Sequence, residues 1–388
     1  MVTMTSADKA LKTFYLGVVA EQLNTAVNPL LARFEQTSND VWGKEIRKLA
    51  TYGINGGIGA GSEEGELPTP GGNNYAQFVL TLKNLYGTIE ISDKAIRASQ
   101  NNSGAFLSLL EAEMEGLLKA SKFNFGRMLY GDGSGVLCTA TSQSGNSLAV
   151  NSVKNITEGM IVDVIDPDTG SVLFKARRIL EVGRDNKLVV LGGDSISTGS
   201  IPSGSILTVQ NSYNRELTGI GAIFGDSRTL YGLDRSDNPW LKPYSKTSST
   251  VNDNALQNCV DHLEETVGST ANFIVCSSGV KRNYQDYMTT NRSNIDIMNL
   301  TGGCKALSFG GIPLISDRFV PQGTLYVLNT DDFHIHQLCD WRWLEDDNGK
   351  VLKQVAGKPV YTATLVKYAD IICDRPIGQA RITGANEK

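Results

Sequence analysis

The sequence predicts an α+β fold made of unlike parts in series, and three observations carry that reading. Residues 43–135 read as a long β-arm followed at once by a long amphipathic helix. Residues 137–212 change to short strands separated by turns. From Val251 onward, helices and strands alternate. A small β-barrel or sandwich inserted ahead of an α/β domain accounts for that order.

Taken in order, residues 6–27 form an amphipathic helix. Leu11, Phe14, Tyr15, Val18, Val19 and Leu23 recur at helical spacing, Thr5 or Ser6 caps the start, and Asn28-Pro29 ends it. A short helical piece, 30–34, leads into a polar link. The outbound strand of the arm covers about 45–55. Its tip, 56–74, is rich in glycine and has almost nothing to bury. The return strand alternates: Ala76, Phe78, Leu80 and Leu82 on one face, Gln77, Thr81 and Lys83 on the other, with Val79 the exception. A two-stranded ribbon is marginal in water, so its apolar stripe needs a cover, from the chain's own body or from another copy.

Residues 86–91 continue as strand, and a short helix covers 94–98. The long helix then covers about 105–130, with Leu107, Leu110, Met114, Leu117 and Leu118 on one stripe. Its acidic residues come early and its basic ones late, as the helix dipole favours. Gly131–Gly135 stops it. In 137–212, strands fit 147–150, 160–165, 172–178, 187–191 and 206–210, with turn chemistry at Asp166–Gly170 and Gly192–Asp194. Beyond Val251 a helix carries Leu256, Cys259, Val260, Leu263 and Val267. Strand 273–276, helix 278–288 and strands at 312–315, 324–328 and 333–337 follow. Residues 361–373 form a long β-run.

The chain of 388 residues is 40% apolar and 20% charged, an ordinary globular balance. Its net charge of -5 argues against a dedicated nucleic-acid binder. The six cysteines are scattered, with no CxxC pair, and read as buried thiols of a reducing compartment. No apolar run approaches the ~18 residues of a membrane span, and Lys9, Lys12 and Glu21 interrupt any signal-peptide core. The expectation is a protein of the cytoplasm with no membrane partner.

The order of elements and three stretches of text, Tyr86–Ser99, Gly126–Gly135 and Gly310–Asn329, carry a resemblance. The chain resembles the major capsid proteins of tailed bacteriophages, with the fold first described for phage Hong Kong 97. The resemblance covers nearly the whole chain apart from 137–212. It implies an N-terminal arm (1–43), an extended loop (44–92), a peripheral domain with its spine helix (93–136) and the inserted β-module (137–212). The peripheral domain continues (213–250), followed by an axial domain (251–360) and a return strand with the C-terminus (361–388). It implies a structural virion protein, not an enzyme and without cofactors. Such a protein self-assembles into hexamers and pentamers of an icosahedral shell around double-stranded DNA.

The implied partners are other copies of the chain, a portal, loosely held packaged DNA and in some shells a decoration protein. Since the N-terminal helix starts by residue 6, no long scaffolding region is expected ahead of it, and the resemblance then implies a separate scaffolding protein, or none. Assembly would take place in the host bacterial cytoplasm. Subunit contacts are expected from Glu63, Glu64, Glu66, Phe78, Leu80 and Leu82 on the extended loop and from Leu11, Phe14 and Val18 on the N-arm. The tip has no lysine between Lys48 and Lys83, which argues against the isopeptide crosslink of some relatives. An encapsulin-like shell enclosing protein cargo is the alternative, against which the inserted module weighs.

The chemical motifs are weaker. Gly56–Gly65 lacks phosphate-loop spacing, and Glu63, Glu64 and Glu66 would repel phosphate. His334, His336 and Cys339 have a spacing that a metal could use on a strand, against the plainer reading of ordinary strand residues. No catalytic serine elbow accompanies any histidine. Trp341 and Trp343, ahead of an acidic turn, read either as core or as a contact near a capsomer centre.

Overall fold

A 27-residue helix, Ser103–Leu129, is the longest element among the described residues, about 40 Å at ~1.5 Å per residue. The computed structural model describes residues 29–94, 103–290, 297–299, 305–346 and 349–387. Residues 11, 14 and 18 lie outside that set, as does the expected short helix beyond residue 94. The chain divides into two units, one formed by 1–123 with 223–388 and the other by 124–222.

Among the described residues the first unit holds three larger sheets and one short pair, Thr229–Leu230 with Leu233–Asp234. The arm sheet pairs Val41–Trp42 with Glu45–Tyr52, and Glu45–Tyr52 with Asn74–Thr81, all antiparallel. The second sheet is centred on the long strand Val360–Cys373. Lys83–Ser92 lies along one side of it, and Phe333–Trp343 and Lys353–Gln354 along the other. Glu35–Thr37 adds a parallel strand outside Phe333–Trp343. Lys83–Ser92 alternates strictly, with Leu85, Ile89 and Ile91 buried. On the same inward face, a Cβ at Gly87 would lie 2.8 Å from Leu117 Cδ1, so glycine lets the long helix sit close to the strand. Met114 of that helix is buried and Leu117 and Leu118 are half-buried, while the side chains of 107 and 110 lie outside the described set.

The third sheet has seven strands in the order 244–247, 380–383, 325–328, 273–276, 312–316, 305–309 and 297–299. Helix Asp253–Val267 lays Leu256, Cys259 and Leu263 into a core shared with Ile274, Leu314, Leu325 and Val327. Asn252 caps its start by accepting from Ala255 N–H, and Gly268 ends it in the left-handed conformation.

Sheet membership differs from the sequence reading in three places. Phe333–Trp343, expected inside the α/β segment 251–360, leaves it and pairs with Val360–Cys373. Ala380–Thr383, expected with the return strand 361–388, lies inside the seven-stranded sheet. Tyr244–Thr247, expected within 213–250, forms that sheet's edge. Alternation marks a strand but not its neighbour, and all three partners are remote in sequence.

The second unit is a closed six-stranded antiparallel barrel. Its strands are Val136–Ser144, Ser147–Val150, Ile161–Ile165, Val172–Gly183, Leu188–Leu191 and Ile206–Val209. Leu148, Ile156, Val162, Val164, Val189, Leu191 and Leu207 fill its interior. Buried Asp163 is fully used: one oxygen accepts from Ala176 N–H and the other from Asn211 N–H, both at 2.7 Å. This unit is larger than the expected 137–212, because the last turn of the long helix and residues 213–222 belong to it. Arg127 makes a bidentate pair with Glu216, at 2.8 and 2.6 Å, with both side chains buried. Gly219 passes so close to the helix end that a Cβ there would overlap the carbonyl oxygens of Met128, Leu129 and Gly131.

Candidate assembly surface

The arm sheet has two faces of opposite fate. On one, Ile46, Ala50, Phe78 and Leu80 are buried. Phe78 packs against Tyr231 (5.0 Å between ring centroids) and Trp240 (5.8 Å), and Tyr52 stacks flat on Trp240 at 4.9 Å. The Tyr231 carbonyl accepts from Val79 N–H at 3.0 Å, and Gly232, at φ 82°, allows that approach. The segment around 229–241 therefore covers the stripe. Phe78, Leu80 and Leu82, expected to meet a neighbour, face their own subunit instead: they are 0, 9 and 7% exposed.

The register puts Trp42, Arg47, Leu49, Thr51, Tyr75, Gln77 and Val79 on the opposite face. Four of these are large and apolar or aromatic. Trp42 is 71% exposed, Leu49 62%, Tyr75 53% and Val79 38%. Clean alternation along the return strand marks the buried face; the exposed apolar residues are exceptions to it, Trp42 after the polar link, Leu49 on the outbound strand, and Val79.

Beyond Tyr52 the tip, 53–73, carries neither strand nor helix. Asn55 Nδ2 donates to Asn73 Oδ1 at 3.1 Å, and Gly57 N–H donates to Asn55 Oδ1 at 2.9 Å, which pinches the base of the tip. Past the pinch, Glu63, Glu64 and Glu66 are exposed, and Ile54, Ile58 and Leu67 stand almost wholly in solvent. Apolar side chains this open, on a segment with no core, are not covered by the chain's own body.

The root of the arm is ionic. Lys48 Nζ lies 2.7 Å from both Asp374 oxygens. His334 Nδ1 is 3.3 Å from Asp374, and its Nε2 is 3.4 Å from Glu35. Contact with Asp374 raises His334 above its ordinary value of 6.5, against the opposing effect of burial. Burial pushes Asp374 up, but His334 and Lys48 outweigh it and hold the carboxyl below its ordinary 3.8. His334, His336 and Cys339 gather no metal-binding constellation: among the described residues no three His, Cys, Asp or Glu side chains are placed to hold an ion.

Trp341 and Trp343 are 6 and 3% exposed, so as candidates for a capsomer centre they are corrected to core residues. They alternate onto the inward face of Phe333–Trp343, and Lys367 Nζ sits 5.7 Å over the Trp341 ring. Lys367 itself is fully buried, 3.0 Å from Asp340 Oδ1 and 3.3 Å from Gln36 Oε1.

No protein-family model matches the chain, and no curated protein does. Solved structures do. The capsid subunit of cyanophage A-1(L) superposes with a TM-score of 0.55 at 11% identity, over 96% of this chain and 94% of that one. The holo-SrpI encapsulin complex from Synechococcus elongatus gives 0.47 at 10% identity, covering 95% of each chain. The procapsid of satellite phage P4 gives 0.44 at 10%, over 96 and 98%. The chain has the fold of the cyanophage capsid subunit, the Hong Kong 97 type that the sequence resembles.

Proposed function

We propose that this chain is the major capsid protein of a tailed phage. It self-assembles into hexamers and pentamers of an icosahedral shell around double-stranded DNA. The carrying observation is the arm: a sheet whose inner face is satisfied within its own subunit and whose outer face and tip expose Trp42, Ile54, Ile58, Leu67 and Tyr75. On this reading the arm lies on a second copy. Burying each large side chain contributes about 1.5–3 kcal/mol before association costs. Repetition over a closed shell multiplies the effect. The function is mechanical, and no catalytic step enters it.

In this reading the sheet centred on Val360–Cys373, with the long helix, is the peripheral domain, and the seven-stranded sheet is the axial domain. The N-arm, with Leu11, Phe14 and Val18, reaches a neighbour. A portal, a separate scaffolding protein and in some shells a decoration protein complete the list of partners. The net charge of -5 suits a container that holds DNA loosely. Electron microscopy of the purified chain, with analysis of what the particles enclose, tests the reading. Closed shells that package DNA are expected. A monomer under assembly conditions would overturn it, and shells filled with one host enzyme would replace it with the encapsulin alternative.

A further inference from the structure

The arm leaves the body through a short joint: strand Glu35–Thr37, a turn at 38–40, then Val41–Trp42 and the outbound strand. The turn is tight. Asp40 adopts φ 62°, a left-handed conformation that costs a non-glycine residue of order 1 kcal/mol, and its carbonyl accepts from Arg47 N–H at 2.9 Å. One side chain holds this turn to the neighbouring strand. His336, 1% exposed, places Nδ1 3.0 Å from the Asn39 carbonyl oxygen. A carbonyl only accepts, so Nδ1 carries the proton and a neutral ring has its lone pair on Nε2. That Nε2 is buried with no hydrogen-bond partner among the described residues. The neutral ring fits the site. A protonated ring would carry a second N–H, and a charge, with nothing to receive them.

The groups around His336 do not supply a counter-charge at Nε2. Lys48 comes from the arm strand and repels an imidazolium. Asp374, at the end of the long strand, favours one but is already engaged by Lys48 and His334. Asp40, on the turn itself, also favours one. Asp370 lies directly across the ladder, and its Oδ1 accepts from Ile371 N–H at 2.9 Å. Two residues back, His334 has its ring 6.2 Å away and bridges Asp374 and Glu35. Burial is the largest influence and lowers His336 below its ordinary 6.5; the Asn39 contact works against that without reversing it.

We infer that His336 is the latch of an acid-sensitive joint at the root of the arm: neutral, it pins the 39–40 turn to the strand; protonated, it releases it. A group lowered in the folded state loses its contribution as pH falls below its unfolded value, here from about 6.5 downward. His334 has the opposite sign. Its contact with Glu35 and Asp374 is fully present below about 6.5 and is lost as pH rises through its raised folded value. Mild acid thus tightens the joint at residue 35 and loosens it at residues 39–40, so the pivot moves outward along the chain. The inference concerns the subunit's own joint and does not depend on what the arm touches.

Hydrogen exchange of the full-length chain tests it. Peptides spanning 37–48 are compared at pH 7.5 and 5.5 after correction for intrinsic exchange rates. Opening linked to one histidine with an unfolded value near 6.5 should rise up to about tenfold at pH 5.5. His336→Asn keeps a donor for the Asn39 carbonyl and does not titrate, so its protection should be the same at both values. Equal protection in the unaltered chain, or a rise that persists in His336→Asn, would overturn the latch. Should that variant fail to fold, C2-proton exchange of the histidines in the unaltered chain decides. A midpoint for His336 below the ordinary histidine value of about 6.5 supports the latch, and one at or above it refutes it.

Discussion

The barrel and the arm are both antiparallel β-structure, and they solve the same problem in opposite ways. In the barrel every strand has two neighbours, a core of Leu148, Val162, Val164, Val189 and Leu207 fills the interior while Ile161, Val172 and Leu180 stay exposed outside, and the buried carboxylate Asp163 is fully hydrogen-bonded. Closure removes all edges. The arm has three strands, open edges, one face covered by residues 229–241 and the other bearing Trp42, Leu49, Tyr75 and Val79. The barrel closes its own ladder, whereas on the proposed reading the arm is half of an interface. Substitutions should therefore act on folding in one region and on assembly in the other.

The largest expected effect on folding lies beneath the barrel. Glu216→Ala strands Arg127 as an unpaired buried cation, at a cost of about 3–5 kcal/mol. Urea unfolding should show the loss directly. Replacing both residues by methionine should recover most of it, since packed apolar side chains commonly substitute for a buried pair. A double variant as unstable as the single one would mean that the pair does more than satisfy itself.

Phe78→Ala comes next. Its ring fills the space between Tyr231 and Trp240, and truncation costs about 3–5 kcal/mol where the site cannot collapse. The loss should be local: faster proteolysis at the arm, with the thermal transition of the barrel unchanged. A barrel that melts earlier would erase the distinction between the regions.

A smaller effect is ionic. Lys48 helps hold Asp374 below its ordinary value despite burial, so its contribution is present above pH 3.8 and lost as pH falls through the lowered folded value. Lys48→Met should weaken the arm root by about 1 kcal/mol near neutrality, because both groups are partly exposed. The variant and the unaltered chain should converge once pH falls below that lowered folded value. A difference in protection at 45–52 that persists undiminished into acid would rule out this pair as the cause.

Much of this architecture was legible in the chain, for physical reasons that differ by element. The long helix announced itself through its length and period, although its acidic residues start only at Glu111, past the first turn where the dipole acts, and most barrel strands through turn chemistry such as Asp166–Gly170. The first barrel strand, Val136–Ser144, did not: its run of Thr, Ser and Gln has no apolar alternation to read. Strand partners were illegible where they are remote, as with Phe333–Trp343. At the candidate site the residues singled out on the return strand, Phe78, Leu80 and Leu82, are buried within the chain's own arm and body. Phe78, Leu80 and Leu82 alternate so cleanly because they are core, and exposed Val79 interrupts the pattern.

The smallest expected effect on the subunit is the one that bears most on the comparison. Trp42→Ser with Leu49→Ser removes two exposed side chains that touch no covered part of the arm sheet. Surface changes of this kind usually stay within about 0.5 kcal/mol, so unfolding curves should overlay those of the unaltered chain. Assembly should respond differently. If each side chain contributes about 1.5–3 kcal/mol when covered, the pair weakens each arm contact by several kcal/mol. One 1.4 kcal/mol step is tenfold in an equilibrium constant, so closed particles should require at least a hundredfold more protein. Light scattering against concentration measures this without reference to folding. Normal assembly by the double variant would mean that the outer face is bare for another reason and that the tip alone carries the contact. Deleting Ser62–Gly71 in the unaltered background would then be the change that stops shells forming.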